Sequence, residues 1–316
     1  MRPLWKDILA AVWLGMILPG IILNLFAWTE RYRERQQLPA LEQQSQEKSG
    51  PIICVRNPDG TGKFMELDAY LTGVLLAEIP ADFHPEALKA QAVAARTYTW
   101  KAGTTGGKHG DNSICTDASC CQAYMEEEAY LSGGGNLENL NKVRQAVEST
   151  SSMVLLYDGE LIEATYFSSS GGSTEAAVAV WGADYPYLQA VSSPEEAFMD
   201  TVLFTREEVE GSLGICLSED QTQWFGPVTY TSGGGVASME IGGQSFTGVQ
   251  LRTLLGLRST AFQMEEEVGI IKITTRGYGH RVGLSQYGAN TMAEQGSTWQ
   301  QILQHYYPGT TLSPAY

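Results

Sequence analysis

The 316-residue chain is poor in positive charge: it has 20 lysines and arginines against 36 aspartates and glutamates, a formal net charge of −16. A surface with that balance repels phosphate backbones, so the composition argues against a nucleic-acid-binding protein. Cysteine and histidine are also scarce, with five and four residues. No segment repeats at the period of a solenoid, which excludes that architecture. Hydrophobic residues make up 43% of the chain, enough for one large domain or two modest ones and too many for a disordered protein.

The longest apolar run lies near the start of the chain, at residues 8–28. Its 21 residues match the roughly 20 that cross the hydrocarbon core of a bilayer. Trp5 and Trp28 stand near its ends, where interfacial aromatic residues belong. A cleaved signal peptide has a shorter apolar stretch and a small-residue cleavage site. We therefore expect residues 1–35 to hold a retained transmembrane anchor, with a signal peptide as the alternative, and the rest of the chain to be exported.

Composition divides the remainder into a tether and a folded domain. Residues 36–50 are rich in Gln and Glu and lack a sustained apolar period, which is typical of a linker. Residues 51–316 mix β-rich and helical segments without a regular βαβ order, so we expect an α+β domain with a mixed sheet and helices, within which about 190–265 form a smaller subdomain. The predicted strands are residues 52–55, 153–156, 162–167 and 270–274, and the predicted helices are 85–101, 139–149 and 299–306.

Glu78 is a candidate general acid because its neighbours Leu75, Leu76, Ala77 and Ile79 are apolar. A carboxyl group in an apolar pocket keeps its proton to higher pH and can protonate a leaving group near neutral pH. The alternative, which spacing alone favours, is a solvated glutamate at the end of an amphipathic helix.

The predicted helix that follows carries polar residues at seven-residue spacing. Lys89 and Arg96 share one face, and Gln91 and Tyr98 share another. Amides, hydroxyls and aromatic faces bind neutral polysaccharide, so one interpretation is a polar ridge that holds a sugar. The other is an ordinary polar helix surface.

His109, Cys115 and Cys121 follow one another at equal six-residue steps in a loop-like segment rich in Asp, Ser and Gly. Zinc takes four Cys or His ligands at structural sites and three at catalytic ones, and Cys120 or a solvent-exposed group would complete this set. A disulfide is the alternative in an exported protein, although a Cys115–Cys121 bridge leaves three cysteines unpaired. Free thiols are the third possibility.

Two loops rich in glycine and hydroxyl groups come later, at residues 166–175 and 276–312. A Ser-His-Asp hydrolase would use one of the three serines at 168–170 as nucleophile and His280 as base, but no Gly-x-Ser-x-Gly motif occurs there. We favour hydrogen bonding to a sugar or to its N-acetyl group. The polar groups of the second loop are His280, Arg281, Ser285, Gln286 and Tyr287.

These stretches together resemble the stage II sporulation protein D family, the sporulation-specific lytic transglycosylases of endospore-forming bacteria. The similarity is colinear over about residues 51–316 and is specific in combination. Its segments are residues 75–98, 166–175, 246–264 and 276–312.

The resemblance implies roles residue by residue. Glu78 matches the catalytic glutamate in the family's AE-[MI]-P-like motif, Arg96 and Tyr98 match its ARTY motif, and His280 and Gln286 match its GHGVG-x-SQYGA loop. Together with the residues chosen on spacing and chemistry, the predicted substrate-contacting set is Lys89, Gln91, Arg96, Tyr98, Ser169, His280, Ser285, Gln286 and Tyr287.

Some features depart from the family pattern. Tyr278 and Arg281 stand where smaller residues are common, and SSSGGST lacks the Cys or His often found in that loop. The His109, Cys115 and Cys121 set is not general in the family, so zinc remains a hypothesis from spacing. We expect this zinc to be structural, ordering the loop beside Glu78, and not to be required for the chemistry.

The implied activity is cleavage of the bond between N-acetylmuramic acid and N-acetylglucosamine in peptide-stripped glycan strands during spore engulfment, leaving 1,6-anhydro ends. Glu78 would act first as acid and then as base. The rival functions are a non-catalytic amidase enhancer or cell-wall binding module, and a zinc-dependent amidase. The last is poorly served by a Cys-rich site, because amide hydrolysis uses His and carboxylate ligands.

The resemblance also implies a location and partners. Family members are held in the mother-cell membrane by one N-terminal helix, with the catalytic domain between the mother-cell and forespore membranes. They act on peptidoglycan with an amidase (stage II sporulation protein P) and a multipass membrane scaffold (stage II sporulation protein M).

The acidity lies in the exported part of the chain. Residues 36–316 carry 15 Lys or Arg against 33 Asp or Glu. Peptidoglycan is itself rich in carboxylates, so bulk charge does not attract the domain to it. We therefore expect binding to depend on local cations such as Lys89 and Arg96, and peptide-stripped strands to repel the protein less.

Overall fold

The computed structural model describes residues 50–57, 59–218 and 224–316. The predicted anchor at residues 1–35 and, except for Gly50, the predicted tether at 36–50 lie outside the described residues, so both stay predictions. Within the described ranges, no helix combines the length and the apolar character needed to cross a bilayer.

Helices and short strands alternate over the described residues, in agreement with the predicted α+β class. The three predicted helices are all present, and the last has the predicted bounds. The nine helices of the described residues are α1 (Leu67–Glu78), α2 (Pro85–Thr105), α3 (Glu127–Ser132), α4 (Leu137–Ser149), α5 (Ala177–Trp181), α6 (Arg206–Leu213), α7 (Gly248–Leu254), α8 (Gln286–Glu294) and α9 (Trp299–Tyr306).

Local signals set the ends of α2, the longest of these helices. Pro85 occupies the first turn, where its fixed φ suits a helix, and Nδ1 of His84 accepts a hydrogen bond from the Glu86 backbone N–H at 3.2 Å. The helix runs one turn past its predicted end, to Thr105, and stops where Gly106 adopts a left-handed φ of +85°.

The strands of the described residues form five small sheets rather than one mixed sheet. They are short and interrupted by helices, so each sheet has two or three strands. The strands are β1 (Ile52–Arg56), β2 (Gly62–Glu66), β3 (Ser113–Cys115), β4 (Met153–Tyr157), β5 (Glu160–Leu161), β6 (Tyr166–Phe167), β7 (Met199–Thr205), β8 (Phe225–Tyr230), β9 (Val236–Ile241), β10 (Gln244–Thr247), β11 (Phe262–Glu267), β12 (Ile270–Arg276), β13 (Leu284–Ser285) and β14 (Thr311–Pro314).

Strand pairing brings distant parts of the chain together. The sheets have the orders β2-β1-β3, β14-β4-β5, β13-β6, β10-β9-β8 and β11-β12-β7. All pairs are antiparallel except β1–β3 and β6–β13. The parallel β6–β13 pair joins the two glycine- and hydroxyl-rich loops, because Tyr166 lies opposite Leu284 and Phe167 opposite Ser285.

The predicted strand at residues 162–167 is wrong as a single element. The chain changes partner within it: Ile162 donates its N–H to Leu155 of β4, whereas Thr165 accepts from the N–H of Leu284. Two short strands, β5 and β6, therefore flank an irregular segment. Alternation of apolar residues predicts extended backbone but does not reveal a change of partner.

Residues 51–316 make one compact unit, and its described residues contain three groups of buried hydrophobic side chains. Helix α2 contributes to two of them: Leu88, Ala92 and Ala95 belong to the first, and Ala87 and Val93 to the second. The third lies among α6, α7 and the strands β7 to β12, overlapping the predicted subdomain at about 190–265 and reaching Ile273. Helix α2 thus occupies the centre of the first two groups.

Candidate functional site

A groove of about 790 Å³ is lined by separate stretches of the chain. Its walls come from the end of α1, the loop before α3, strand β6, the Tyr278–His280 turn and the start of α8. The lining residues that bear on its chemistry are Glu78, Tyr98, Lys108, Cys120, Cys121, Gln122, Tyr166, Ser168, Trp181, Tyr278, His280, Gln286 and Tyr287.

Glu78 is the last residue of α1 and lines this groove. The helix stops there because Ile79 precedes Pro80, which disfavours a helical conformation at Ile79. The carboxylate Oε1 accepts a hydrogen bond from the Ala123 backbone N–H at 2.6 Å. Burial raises the pKa of Glu78 above its ordinary value, against the opposing effect of that hydrogen bond. The carboxyl group thus has the environment predicted from its apolar neighbours.

Glu78 is the only carboxylic acid among the described residues that line the groove. Two-carboxylate glycosidases place a second Asp or Glu across the scissile bond. A groove with a single partly buried carboxyl group suits one residue that both gives and takes a proton.

A buried hydrogen-bond network supports the floor of the groove beside Glu78. The hydroxyl of Tyr166 donates to the side-chain oxygen of Gln122 at 2.8 Å, and the amide nitrogen of Gln122 donates to the hydroxyl of Thr99 at 2.8 Å. Burial raises the pKa of Tyr166, and the nearby Glu78 carboxyl raises it further, so the phenol stays protonated as a donor. Sequence reasoning missed Gln122. The one available signal was its position directly after Cys121.

The predicted metal ligands come together. One ligand atom from each of His109, Cys115, Cys120 and Cys121 lies within 4.8 Å of every other. Nε2 of His109 is 3.5 Å from Sγ of Cys121 and 3.9 Å from Sγ of Cys120, and the two sulfurs are 3.9 Å apart. A tetrahedral zinc site has edges of about 3.5–3.8 Å. The cluster could therefore hold a metal ion, with Cys120 joining the three predicted ligands.

All five cysteines have free thiols, so the Cys115–Cys121 disulfide alternative is not formed. A short segment links the cluster to Glu78. Cys121 is followed by Gln122 and then by Ala123, whose backbone N–H donates to the Glu78 carboxylate. An ion held by the cluster would fix this segment and, through it, the position of the carboxyl group.

His280 lines the groove and packs between the rings of Phe167 and Trp181, with centroid distances of 5.6 and 5.2 Å. Its Nδ1 accepts a hydrogen bond from the Val282 backbone N–H at 3.1 Å. Burial, with a smaller effect from Arg252, lowers the pKa of His280 to about 4. The ring is therefore neutral near pH 7, with its proton on Nε2.

That tautomer makes His280 a hydrogen-bond donor rather than a base at Nε2. The hydroxyl of Ser170 donates to Glu195 at 2.6 Å, and Ser169 is buried with a hydroxyl that has no partner among the described residues. No serine hydroxyl in the described part of the chain is hydrogen-bonded to His280, so the arrangement does not support a Ser-His-Asp hydrolase.

The start of α8 presents Gln286 and Tyr287 to the groove. Ser285 caps this helix by accepting from the Gly288 N–H at 3.3 Å, and its hydroxyl donates to the buried Glu195 at 2.7 Å. Ser285 is fully buried and does not line the groove, and Ser169 is outside the lining as well. Both predicted contact residues instead support the surfaces beside it.

Tyr98 lines the groove, as predicted for a contact residue, but its three companions on α2 do not. Arg96 is fully buried: it donates to the carbonyls of Thr150 at 2.7 Å and Val147 at 2.9 Å. Gln91 is also fully buried, and Lys89 pairs with Glu86 at 2.7 Å.

The predicted polar ridge of Lys89, Gln91 and Arg96 is therefore corrected. Seven-residue spacing placed residues on a common face, but α2 is covered by α4, α8, α9 and β4. The face that carries Arg96 contacts α4 and the turn that follows it, so it is not available to bind a sugar.

Arg281, singled out as a departure from the family pattern, is also structural. It is 2% exposed, pairs with Glu175 at 3.2 Å and donates to the carbonyls of Ser173 and Gly233 at 2.8 and 2.7 Å. It joins the 166–175 loop to the turn at 231–235.

Aromatic residues frame the groove. Trp181 at the end of α5, Tyr278 and Tyr287 are 45%, 42% and 46% exposed, so each offers a ring face or edge to a ligand. The ammonium of Lys108 lies 5.9 Å from the centroid of the Tyr98 ring. No sequence pattern pointed to Trp181, because it reaches the groove only through the packing of α5 against the His280 turn.

Comparison with known proteins adds the family context. A family model described as Stage II sporulation protein matches residues 61–157. Stage II sporulation protein D of Bacillus amyloliquefaciens is 39% identical over 258 residues, covering 79% of this chain and 74% of that protein. The protein of the same name from Bacillus subtilis (strain 168) is 38% identical over 279 residues, covering 85% and 81%. An amidase enhancer from the same strain is 31% identical over 301 residues, covering 77% of this chain and 40% of that protein.

Proposed function

The chain belongs to the stage II sporulation protein D family, and on that premise we propose that it acts in sporulation as a peptidoglycan lytic transglycosylase. It would cleave the bond between N-acetylmuramic acid and N-acetylglucosamine in peptide-stripped strands. The observation that carries this proposal is the single, partly buried carboxyl group of Glu78 in a groove with no other carboxylic acid among the described lining residues.

One carboxyl group suffices because the substrate supplies its own nucleophile. Protonated Glu78 gives its proton to the glycosidic oxygen, and the bond from that oxygen to C1 of the muramic acid breaks with its electron pair leaving on the oxygen. Positive charge develops at C1 as in other glycosidic cleavages. The carboxylate of Glu78 then takes the proton from the C6 hydroxyl as its oxygen bonds to C1, which yields the 1,6-anhydro end and restores the acid.

Neutral donors and aromatic faces are suited to hold the sugars. The amide of Gln286 can donate to a sugar hydroxyl or an N-acetyl carbonyl, and the neutral ring of His280 also lines the groove. Trp181, Tyr278 and Tyr287 can lie against the apolar faces of the rings. These groups replace the predicted ridge on α2 as the polysaccharide-binding surface.

We propose zinc for the cluster, because a set of one imidazole and three thiols in tetrahedral spacing is the preference of that ion. His109, Cys115, Cys120 and Cys121 would hold it. With four protein ligands the ion is structural, and its contribution is to order the segment that carries Ala123 to Glu78.

The test is mass spectrometry of the products that the purified chain forms from peptide-stripped strands. The parent protein should yield anhydromuramic ends. Glu78→Gln should reduce cleavage by about a hundredfold or more, the usual contribution of a general acid. Glu138→Gln, an exposed position on α4, is the matched control and should cleave at the parent rate. Reducing ends in place of anhydro ends would reassign the reaction to hydrolysis, and full activity of Glu78→Gln would refute the proposal.

A second candidate function is stimulation of an amidase without cleavage, favoured by the 31% identity to the amidase enhancer. It predicts that no strand cleavage occurs and that Glu78→Gln still stimulates a sporulation amidase such as stage II sporulation protein P. The lytic reaction predicts instead that the parent protein cleaves strands without any amidase and that Glu78→Gln does not.

The proposed place of action follows from the role. A strand-cleaving domain needs access to peptidoglycan, so we propose a membrane-anchored protein whose domain faces the space between the mother-cell and forespore membranes. The amidase would supply stripped strands, and stage II sporulation protein M would serve as the membrane scaffold. This location would be tested by the protease accessibility of the domain in sporangia with and without permeabilisation of the mother-cell membrane.

A further inference from the structure

A second, smaller cavity opens beside the groove. This side cavity has a volume of about 310 Å³, and three residues, Tyr98, Lys108 and Cys121, line both it and the groove. The two spaces therefore adjoin each other at these residues. Clefts of roughly 300–1,000 Å³ are the usual size of small-ligand sites, so the side cavity is large enough to take a single sugar ring.

The walls of the side cavity carry hydrogen-bonding groups of both kinds. The end of α2 contributes Lys101 and Thr105, and the segment between β5 and β6 contributes Glu163. The ammonium of Lys101 lies 2.7 Å from the Glu163 carboxylate, and both side chains are partly buried. An ammonium group has three donors and a carboxylate has several acceptor sites, so each keeps capacity for a ligand. Sugar hydroxyls, which donate and accept at once, can use such a pair.

Lys108 lies where the groove and the side cavity meet. Its ammonium donates to the backbone carbonyl of Cys120 and is 5.9 Å from the centroid of the Tyr98 ring. Within the part of the chain that the structure describes, Lys108 forms no ion pair with a carboxylate. One contact with a carbonyl leaves the other donors of the ammonium for a ligand that extends from the groove into the cavity.

We propose that the side cavity is a further saccharide subsite, which holds the next sugar of a glycan strand that lies in the groove. The inference rests on the proposed function and adds the length of strand that the protein recognises. A glycan strand is a polymer, so its sugars continue beyond the two that flank the cleaved bond. The side cavity adjoins the groove and offers donors, acceptors and the Tyr98 ring, which are the groups that bind a sugar.

The test measures affinity as a function of strand length in the Glu78→Gln background, so that no strand is cut during the experiment. A peptide-stripped disaccharide, tetrasaccharide, hexasaccharide and octasaccharide, each with a fluorescent label, are titrated by anisotropy. Affinity should rise in steps with length. The step at which a sugar enters the side cavity should be about tenfold, as expected for one or two good hydrogen bonds.

The side cavity can be filled without a change in the groove, because Thr105 lines the cavity and is not part of the groove lining. Thr105→Trp should abolish this affinity step and leave the affinities of the shorter strands unchanged. Thr104→Trp, at the exposed neighbouring position outside both linings, is the matched control and should keep every step of the parent.

A second variant removes the charges of the cavity and keeps its volume. The double substitution Lys101→Met and Glu163→Gln leaves the net charge unchanged and should shrink the same step by about threefold or more, because charge-assisted hydrogen bonds are replaced by weaker ones. Thermal melting verifies that each variant is folded.

Equal weakening of all strand lengths by Thr105→Trp would overturn the subsite, because a merely structural defect does not distinguish one length from another. Unchanged affinity of Thr105→Trp for every length would overturn it as well. Weaker binding of peptide-bearing strands alone would also overturn it, since the cavity would then hold a stem peptide. Failure of the enzymatic proposal appears separately, as absence of anhydro ends from the parent protein, and leaves the affinity series readable.

Discussion

The protonation state of one residue, Glu78, sets the pH range of the proposed reaction. Its pKa is raised by burial, so the neutral acid needed for the first step persists above the ordinary value of 4.5. Cleavage should therefore fall as pH rises through this raised pKa. A rate profile on peptide-stripped strands would locate the descending limb, and a limb at or below pH 4.5 would contradict this role.

The same shift has a consequence for stability. A raised pKa means that the folded protein favours the protonated carboxyl group, so the stabilisation from Glu78 is present at low pH and is lost as pH rises through the folded-state pKa. Glu78→Gln, which keeps a side-chain oxygen for the Ala123 N–H, should melt at a higher temperature than the parent at neutral pH. Below pH 4 the two melting temperatures should converge.

Arg96 provides the opposite case, a polar residue whose role is structural. Arg96→Ala removes donors from the buried carbonyls of Thr150 and Val147, which should cost about 2–4 kcal/mol of unfolding free energy. Chemical denaturation measures this loss, and Lys89→Ala, at a partly exposed pair, should cost about 1 kcal/mol or less. A folded Arg96→Ala protein should still bind glycan, and a selective binding defect would restore the sugar-contact role.

At the scale of elements, the segment from His109 to Ala123 is expected to respond as a unit. Cys115→Ser or chelation should release the bound ion, loosen this segment and lower both melting temperature and cleavage, while the anhydro product stays the same. Cys216→Ser, at an exposed thiol outside the cluster, is the control. Metal analysis should give one zinc per chain for the parent. Normal cleavage by metal-free protein would contradict this prediction, because it would show that the bound ion does not affect the site around Glu78.

Elements differ in how far sequence predicts them. Helix α9 has its predicted bounds because Thr298 and Gln301 form a capping box at its start, a local signal. The segment at residues 162–167 was predicted as one strand and is divided because its two ends have different partners: β4, which comes just before it, and β13, which lies far along the chain. Local chemistry fixes the ends of helices, whereas strand pairing depends on contacts that no short window contains.

The candidate site shows the same difference between local signals, which sequence reveals, and tertiary contacts, which it does not. Apolar neighbours predicted the raised pKa of Glu78, and equal spacing predicted the cluster of His109 and the cysteines, since both signals are local. The burial of Arg96 could not be predicted, because a helical repeat tells which residues share a face but not which face is covered. Trp181 reaches the groove through tertiary packing alone.

At the scale of the whole molecule, net charge should make activity depend on salt. A chain with a charge of −16 is repelled by the carboxylates of intact peptidoglycan, and salt screens that repulsion over a Debye length of about 8–10 Å at physiological strength. Raising the salt from about 0.01 to 0.15 M should increase binding to intact peptidoglycan more than binding to stripped strands. Sedimentation of the protein with each polymer would measure this binding. Weaker binding to both polymers at the higher salt would contradict the prediction, because it would show that electrostatic attraction dominates.

The position of α2 between two hydrophobic groups also bears on the order in which the protein can be completed during synthesis. One face of α2 packs on α1 and α4, which are made soon before or after it. The other face is covered partly by β4 and partly by α8 and α9, about 200 residues later, and closing such a long separation is slow. A chain that emerges from its amino end therefore carries a partly uncovered apolar surface through most of its synthesis. A holding chaperone would have its clearest target there until residues 286–306 arrive.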